Sequence, residues 1–300
     1  MSLLYQVIAA FGGGVFGALI GGTNAFIFTG ITGLGAVVLI LSGNGDILLN
    51  SVSAGPYLAP HVGFAGGVAA LAVINRQKNK FMTQYERIEE HERTREMDDA
   101  LETYKDINGL STFTPLYPFS NIPAILIGGL FGAVGYFLNY YFAEIFNLPI
   151  DTVALTIVLS NLIARLFIGR DSINKYNGNK FYEATNNKVL FNILWAIPFS
   201  IVVSYVTQVT GTELTVFYIS AFSLILNSIG KSIPVTHHIS ITAGYATLAL
   251  GNIWAGMIVG LFAMLIGEYF DITVNENAES LIDMPSFVIA LLSFVIFTIF

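Results

Sequence analysis

Ten long runs of apolar residues, separated by short polar stretches, occupy most of the 300-residue chain. A helix that crosses a bilayer needs about 20 predominantly apolar residues, and each run approaches or reaches that length. The runs lie at residues 4–22, 24–42, 56–75, 121–143, 150–169, 189–208, 214–230, 235–250, 252–270 and 284–300. The pattern therefore predicts an all-α polytopic membrane protein with about ten transmembrane helices.

The composition argues against a soluble catalytic domain. Hydrophobic residues make up 54% of the chain, charged residues 11%, and the mean hydropathy is +0.69, whereas a soluble domain carries about 25% charged residues. The lack of cysteine excludes disulfides and thiol chemistry, and no basic, aromatic-interleaved patch favours nucleic-acid binding. We expect the lipid bilayer as a partner, no nucleic acid and no cofactor. The first run has no positive residues before it, which favours a membrane span over a cleaved signal peptide.

One long polar stretch, residues 76–120, separates the third apolar run from the fourth. It holds seven Lys and Arg and nine Asp and Glu. That composition is typical of a solvated helix with opposite charges one turn apart. We predict a charged helical insertion here. The alternative is a regulatory segment that docks a partner.

The positive charges predict how the chain sits in the membrane. Of its 13 Lys and Arg, seven lie in residues 76–105 and five in residues 165–188. Two spans separate these segments, so both lie on one side, which the positive-inside rule makes cytoplasmic. Counting spans then puts both termini outside a plasma (inner) membrane. It also puts the acidic loop 268–283 in the cytoplasm. Because this loop has no Lys or Arg, its placement there agrees poorly with the positive-inside rule.

The two halves of the chain resemble each other. His61–Leu71 aligns without gaps on His238–Leu248, with the His, one Gly, one Ala and the Leu identical. Asn121–Phe131 aligns on Asn252–Phe262 with seven identities. A third match, an Ile-Asp pair that opens the last run of each half, follows in the same order. The offset falls from 177 to 131 residues between the first two blocks because the first half carries the insertion.

Each half holds five runs, and an odd number inverts the second copy relative to the first. We predict five-helix repeats at residues 1–170, with the insertion 76–120, and at residues 189–300, joined by a cytoplasmic linker at 171–188. The basic segments of the first half have no basic counterpart in the second, as inversion requires. This plan is similar to that of urea-type channels and several secondary carriers. The resemblance is architectural and carries over no residues.

Proline and glycine interrupt the chain just before each matched His block, at residues 53–61 (SAGPYLAPH) and 230–238 (GKSIPVTHH). Proline removes a backbone donor and clashes with the preceding turn, so neither stretch continues as a helix. The helices that follow, His61–Asn75 and His238–Leu250, would be only about 20–22 Å long, against a hydrocarbon core of about 30 Å. We predict that these two broken helices meet near the midplane and direct free N–H groups into a shared cavity.

The predicted substrate-binding residues lie at these breaks or are polar groups within apolar runs. They are His61, His237, His238, Thr236, Thr242, Asn24 and Asn227. A polar group in a bilayer is costly unless it is bonded, so each must have a partner or a ligand. For the His residues, the alternative is a cap or a position at the membrane interface. Hydrogen bonding between helices is the alternative for Asn24, Asn227, Thr236, Thr242, Ser240, Asn121 and Asn252.

Two other sets of residues receive structural interpretations. Asp151 and Asp283 each precede an apolar run and are interpreted as helix N-caps. Glycine pairs suit close helix packing, because small residues let two backbones approach. These pairs lie at Gly12–Gly14, Gly21–Gly22, Gly66–Gly67 and Gly128–Gly129.

These features favour a permease or channel for a small polar solute, which we expect to be neutral or anionic because the nominated groups are uncharged or His. No enzymatic activity is expected, and a homo-oligomer is compatible with the plan. One alternative is a structural or regulatory membrane subunit. Another is an intramembrane enzyme in which Glu268 and Asp271 join His237 and His238 in a metal or acid–base cluster, although the sequence has no metal signature such as HExxH.

Overall fold

The computed structural model describes the backbone of residues 2–175 and 185–300, and the side chains of residues 2–175 and 189–300. Every regular element in these ranges is helical. In chain order the α-helices are α1 (Leu3–Ile20), α2 (Gly22–Leu41), α3 (Gly63–Tyr85), α4 (Arg95–Tyr104), α5 (Ile122–Tyr140), α6 (Thr152–Ile163), α7 (Thr185–Thr210), α8 (Leu214–Ser223), α9 (Ile225–Ser228), α10 (His237–Leu250), α11 (Ile253–Phe270) and α12 (Met284–Ile299). Short π-helical segments lie at Leu49–Ser53, Tyr141–Ile145, Ala164–Gly169 and Asp271–Asn275, and 3-10 turns at Glu90–Glu92 and Tyr117–Phe119.

Six helical stretches in the described part of the chain are long and apolar enough to cross a membrane. They are Leu3–Ile20, Gly22–Leu41, Ile122–Ile145, Thr152–Gly169, Val189–Thr210 and Ile253–Asn275. Two further apolar helices, Leu214–Ser228 and Met284–Ile299, are shorter. The outward faces of these helices expose many large apolar side chains, which lipid would solvate. The all-α prediction is confirmed, and the architecture is consistent with a helical membrane protein.

Local sequence signals set where several helices begin. Asn121 accepts the N–H of Ala124 at 3.0 Å and caps α5. Asp151 accepts the N–H of Ala154 at 2.8 Å and caps α6. Asp283 does the same for α12 through Ser286. Each carboxylate or amide thus satisfies one of the free donors in a helix's first turn, and the N-cap prediction for the two Asp residues is confirmed.

Both predicted helix breaks are present, although the helices after them differ from expectation. No helix covers residues 54–62 or 229–236. The helix α10 has 14 residues and starts at His237, close to the predicted short helix. The helix α3 starts at Gly63, two residues beyond His61, and has 23 residues, so the prediction of a short helix was wrong for the first half. It is longer because the charged residues after Asn75 continue it to Tyr85.

The segment 76–120 is not one solvated helix. The end of α3 and the short helix α4 form its charged part, and residues 105–121 then return to the bundle. Ile107 and Leu116 are buried in a core cluster with Ala18, Leu71 and other apolar residues of α1, α3 and α5. The Leu116 N–H donates to the carbonyl of Ala18 at 3.2 Å. The last part of the predicted insertion is therefore part of the packed core.

The order of helix packing is the same in the two halves. In the first half α1, α3 and α5 pack on one another, and in the second half α7, α10 and α11 do so. The helix α2 packs on α3 as α8 packs on α10, and α6 packs on α3 and α5 as α12 packs on α10 and α11. Only α4, in the charged segment, and the four-residue helix α9 have no such counterpart among the described α-helices.

Two pairs of corresponding helices join the halves, and both pairs are antiparallel. Along α2 and α8, Gly30 faces Phe222 and Gly33 faces the ring of Tyr218. The residue numbers of the two helices therefore increase in opposite directions. The helices α6 and α12 also pack on each other in opposite directions, as the two hydrogen bonds described below require.

Small residues allow the closest helix approaches, as predicted. A Cβ at Gly14 would lie 2.2 Å from the carbonyl oxygen of Gly128, and one at Gly67 would lie 2.5 Å from the Cα of Gly22. Gly12, in contrast, has nothing within 4 Å of such a Cβ. Close packing therefore depends on particular members of each glycine pair.

The charged loops gather at one end of the bundle, which we call the charged end. The fully buried Arg165 donates there to the carbonyls of Ser280 and Val274 at 2.8 and 2.9 Å. Asp171 accepts the N–H of Glu279 at 2.7 Å and pairs with Lys175. The acidic loop thus lies beside Arg and Lys of the basic segment.

The predicted linker 171–188 is described only at its two ends. Lys175 donates its N–H to the carbonyl of Thr273 at 3.2 Å, so the start of the linker is attached to the acidic loop. The helix α7 already begins at Thr185, inside the predicted linker. Residues 176–184 lie outside the described residues.

Candidate functional site in the central cavity

A cavity of about 200 Å³ lies between the two halves, and we call it the central cavity. Its wall includes residues of both halves: Thr23, Phe26, Pro60, Phe64, Leu110, Thr112, Phe113, Asp151, Val153, Ala154, Ile157, Phe217, Leu224, Asn227, Val235, His237, Asp271, Leu281, Asp283, Met284, Pro285, Ser286 and Ile289. A dry cavity of about 150 Å³ holds benzene. The central cavity therefore suits a solute of roughly six to ten non-hydrogen atoms.

The N-terminal turns of α6 and α12 form one wall of the cavity, at corresponding positions. From α6 come Asp151, Val153, Ala154 and Ile157, and from α12 come Asp283, Pro285, Ser286 and Ile289, each 132 residues later. Both helices therefore present their first turns, with the capping carboxylates, to one space.

Two corresponding hydrogen bonds hold this helix pair together. The Asp151 N–H donates to Ser293 Oγ at 2.8 Å, and the Asp283 N–H donates to Asn161 Oδ1 at 3.1 Å. Asn161 and Ser293 are themselves 132 residues apart. Each helix thus begins beside the middle of the other, which fixes the two as antiparallel.

Both capping carboxylates are hydrogen-bonded; Asp283 is buried and Asp151 is half-buried. Asp151 uses Oδ1 for its helix cap and accepts the hydroxyl of Tyr245 on Oδ2 at 2.7 Å. Asp283 accepts both the N–H and the hydroxyl of Ser286 on Oδ2, at 2.9 and 2.5 Å. Within the described side chains, neither Asp151 nor Asp283 forms an ion pair with Lys, Arg or His.

Aromatic rings form another wall. The ring centroid of His237 lies 4.8 Å from that of Phe26 and 6.2 Å from that of Phe217, and Phe64 lies 6.3 Å from Phe26. His237 is only 8% exposed, and its Nδ1 has no hydrogen-bond partner among the described residues. An unpartnered buried nitrogen therefore sits within an apolar aromatic group on the cavity wall.

The returning segment of the charged insertion closes the cavity near the charged end. The Thr23 N–H donates to the carbonyl of Thr112 at 3.0 Å, and the two threonine hydroxyls are 2.5 Å apart. Asn24 donates to the carbonyl of Phe113 at 2.9 Å. These bonds hold Thr112 and Phe113 against the start of α2, where both residues line the cavity.

Asp271, a third acidic residue on the cavity wall, lies at the charged end and is exposed. Asn275 donates to Asp271 Oδ1 at 2.9 Å and accepts from the guanidinium of Arg165 at 3.1 Å. The side-chain amide of Asn275 thus bridges Arg165 and Asp271 by two hydrogen bonds. No comparable bridge to a positive residue is found for Asp151 or Asp283 in the described part.

The structure places only some of the sequence-predicted site residues on the cavity. His237 and Asn227 line it. Asn227 also fixes the conformation of the second helix break. Its amide nitrogen donates to the Ile233 carbonyl at 3.3 Å, and its amide oxygen accepts the Ile233 N–H at 3.1 Å. Asn24 does not line the cavity and holds the Phe113 segment in place.

His61 and His238 occupy corresponding places away from the cavity and do not face each other. His61 is fully buried, stacks on Tyr136 of α5 with centroids 6.0 Å apart, and has no partner for either ring nitrogen in the described part. His238 packs against Gly267 of α11. Each His thus faces a helix of its own half, and the predicted meeting of the two at one cavity is not present.

The remaining predicted polar residues bond within or between helices. Thr242 donates to the carbonyl of His238 at 2.7 Å, and the Ser240 hydroxyl lies 2.5 Å from that of Ser220. Thr236 precedes α10 without a side-chain cap bond. Asn121 and Asn252 cap α5 and α11. The alternative of hydrogen bonding between helices thus describes Ser240 and Asn121, whose amide also donates to Gln77 of α3 at 2.6 Å. Thr242 and Asn252 bond within their own helices.

The four residues of the candidate metal or acid–base cluster are not all brought together: His237 and Asp271 line the central cavity, whereas His238 and Glu268 do not. The ring centroids of His237 and His238 are 6.2 Å apart, but Glu268 accepts from Asn192 at 2.9 Å on another face. In the described part of the chain, no group of three or more His, Asp or Glu side chains is placed to hold a metal ion.

Sequence reasoning missed three parts of the cavity wall: the two capping carboxylates, the aromatic group and the Thr112–Phe113 segment. For the two capping carboxylates, the matched Ile-Asp pairs carried a signal, since two equivalent acids in apolar sequence suggest a shared site. No comparable signal existed for Phe26, Phe64 and Phe217, because phenylalanine is common throughout the chain.

Comparison with known proteins identifies a family but no function. The model of a family of unknown function (DUF7973) matches residues 1–186 and 193–300. The chain belongs to this family. No curated protein matches it, and no solved structure matches it. What this member of the family does must therefore be argued from its own cavity and fold.

Proposed function

We propose that this protein of the DUF7973 family is a transporter or channel for a small polar solute, which passes through the central cavity between two inverted five-helix repeats. The observation that carries the proposal is the joint wall formed by the first turns of α6 and α12. Corresponding residues of both halves meet there around one space large enough for a small solute. A site shared by two inverted halves is what alternating access requires.

The antiparallel helix pairs support the inverted arrangement. Repeats related by an axis along the membrane normal would place corresponding helices parallel, whereas α2 with α8 and α6 with α12 are antiparallel. A two-fold axis in the membrane plane accounts for both pairs. The ten-span topology follows if α3 and the shorter helices α8–α9, α10 and α12 supply four further spans beside the six long ones.

The pairing also supports a cavity within the hydrocarbon. Asp151 lies beside Ser293, and Asp283 beside Asn161, ten residues further along α6. At 1.5 Å per residue the two Asp residues are about 15 Å apart along the helices. Each then lies roughly 7–8 Å from the centre of the pair, inside a hydrocarbon core of about 30 Å.

Charge supports the proposed orientation. The basic segments lie at the charged end, so this end is proposed to be cytoplasmic in a plasma (inner) membrane, with both termini outside. The acidic loop that fitted this orientation poorly lies beside Arg165 and Lys175, which offset its charge. Its location therefore agrees with a cytoplasmic charged end.

The structural or regulatory subunit remains the second candidate. The observation that favours it is the exposed charged unit formed by the end of α3 and by α4, whose Tyr85 hydroxyl donates to Asp98 at 2.8 Å. Such a unit offers a docking surface outside the membrane. The geometry gives less support to an intramembrane enzyme, because only His237 and Asp271 of its four proposed residues line the cavity.

Reconstituted vesicles test the transport proposal. Uptake of glycerol, acetate, glycine and ethylammonium would be compared in vesicles with and without the protein. Ser286→Trp should fill the cavity and reduce uptake to that of protein-free vesicles, while Ser172→Trp, at an exposed loop, should not. If none of the four solutes enters faster with the protein, and a cysteine at Ala154 is unreactive from both sides, the proposal is wrong.

A deletion separates the two candidates. Because Tyr104 and residues 107–119 pack in or against the core, only residues 87–103 should be replaced, by a Gly-Ser linker. A transporter should keep its uptake without this charged unit. A docking subunit should keep its fold but lose a partner, and it would show no uptake in either form.

A further inference from the structure

We infer that the central cavity binds a small organic cation, an ammonium compound with an alkyl or aromatic group. This inference rests on the proposed function and names the class of its solute. It departs from the neutral or anionic solute expected from the sequence, because the cavity wall includes carboxylates that were then interpreted only as helix caps.

Charge is the first argument. Three acidic residues, Asp151, Asp271 and Asp283, line the cavity, and no Lys or Arg does so among the described side chains. Asp271 shares Asn275 with Arg165, whereas Asp151 and Asp283 form no ion pair in the same part of the chain. A buried carboxylate without a counter-ion is costly, and a bound cation would supply the missing charge. An anion would instead be repelled.

Available hydrogen-bond acceptors are the second argument. Asp283 receives both of its described bonds on Oδ2, and the nine-tenths buried His237 has an unpartnered Nδ1. A neutral imidazole has one acceptor nitrogen, and an ammonium group has N–H donors for both kinds of acceptor. Asp283 caps α12 and His237 begins α10. A ligand bonded to both would therefore join two helices of the second half.

The aromatic wall is the third argument, and it selects an organic cation over a metal ion. The His237 ring lies 4.8 Å from that of Phe26 and 6.2 Å from that of Phe217. Phe26 in turn contacts Phe217 at 5.9 Å and Phe64 at 6.3 Å, all as centroid distances. Ring faces attract ammonium groups and cover alkyl groups, whereas a hard metal ion needs several oxygen ligands. No group of three or more metal-ligating side chains occurs in the described part.

Binding to the purified full-length protein in detergent tests the inference without requiring transport. Ethylammonium, tetramethylammonium and phenethylammonium would be titrated by calorimetry and by thermal shift, beside ethanol, benzyl alcohol and benzoate. We expect saturable binding of at least one ammonium compound and none of benzoate. Equal binding of a neutral alcohol, or stronger binding of benzoate, would overturn the inference.

Asparagine substitutions identify the binding groups while keeping the helices capped, because Asn caps a helix about as well as Asp. Asp151→Asn and Asp283→Asn should each weaken ammonium binding by about tenfold or more, since each removes a charge-assisted contact. The matched control Asp46→Asn, in an exposed loop, should leave binding unchanged. Unchanged binding in the double variant Asp151→Asn/Asp283→Asn would remove the carboxylates from the site.

The two proposals fail in different ways. If ammonium compounds bind and depend on both Asp residues but vesicles show no uptake, the cation site stands and the transport proposal fails. If glycerol or glycine enters vesicles while no ammonium compound binds, transport stands and the cation inference fails.

Discussion

The hydroxyl of Tyr245 donates to Asp151 Oδ2 across 2.7 Å and joins a helix of one half to the first turn of α6 in the other. The same carboxylate caps α6 through Ala154, so one half-buried side chain serves both the helix start and the contact between halves. Tyr245 also packs edge-on against Phe297 of α12, with ring centroids 4.9 Å apart. Because α10, α6 and α12 meet at this point, the bond contributes to how the halves are joined beside the cavity.

Tyr245→Phe should lower the free energy of unfolding by about 0.5–2 kcal/mol, because it removes a partly buried hydrogen bond to a carboxylate while keeping the ring. Tyr205→Phe, at a side chain 58% exposed, is the matched control and should change little. Thermal unfolding in detergent, followed by circular dichroism, measures both. Equal melting temperatures for the two variants would show that the Asp151 bond adds no net stability.

Gly14→Val should destabilise the bundle strongly. A Cβ at Gly14 would lie 2.2 Å from the carbonyl oxygen of Gly128 and 2.9 Å from the Cα of Gly132, and backbone atoms cannot move aside as a side chain would. We expect a loss of roughly 2–3 kcal/mol as α1 separates from α5. Gly12→Val makes the same chemical change two residues away, where nothing lies within 4 Å.

Thermal unfolding and gel filtration of the Gly14→Val and Gly12→Val variants test whether the close packing at Gly14 stabilises the bundle. The Gly12 variant should match the parent protein in both measurements. A stable, monodisperse Gly14→Val protein would show that the close packing of α1 on α5 is not required for the fold.

Arg165→Met should be among the most damaging single changes at the charged end. Its guanidinium is fully buried and donates to the Ser280 and Val274 carbonyls and to Asn275. Breaking such a buried, bonded charge costs about 3–5 kcal/mol, because the partners lose their donor while remaining buried. Arg170→Met, at an exposed position, is the control. Similar expression and melting temperature for both variants would contradict the network described here.

Uptake by three His variants separates the predicted roles of these residues. His237→Ala changes the cavity wall and should reduce uptake of a transported solute at least about tenfold with little change in fold. The sequence-based prediction that His61 and His238 bind the substrate requires that His61→Ala and His238→Ala abolish uptake, although their side chains pack within their own halves. Normal uptake by His61→Ala and His238→Ala proteins that fold correctly would limit the His contribution to His237.

The positions of the helices could be predicted from sequence because length and apolar content decide them. The run predicted at 252–270 corresponds to Ile253–Phe270, and the run at 284–300 to Met284–Ile299. Capping by Asp151 and Asp283 followed from their places before apolar runs, since a short acidic side chain suits a helix start. Both breaks followed from proline and glycine.

The cavity wall could not be predicted in the same way. A soluble helix shows its buried face by polar residues on the other side, but a membrane helix is apolar all round, so its rotation is not encoded in hydrophobicity. His237 and His238 are adjacent in sequence, and only the rotation of α10 puts the first on the cavity and the second against Gly267. The return of residues 107–119 to the core depends on long-range contacts, such as that of Leu116 with Ala18, which a charge count misses.

The inverted arrangement makes a prediction that needs no substrate. The chain has no cysteine, so any single cysteine is a unique label. Asn44 and Lys231 follow the corresponding helices α2 and α8–α9, and both are exposed. With inverted repeats, Asn44→Cys should react with a membrane-impermeant maleimide added outside intact cells, and Lys231→Cys only after the membrane is opened. Glu144→Cys and Asn277→Cys, near the ends of α5 and α11, should divide in the same way, outside and inside. Repeats related by an axis along the membrane normal would instead place each pair on one side, and that result would remove the basis for a site shared by opposed halves.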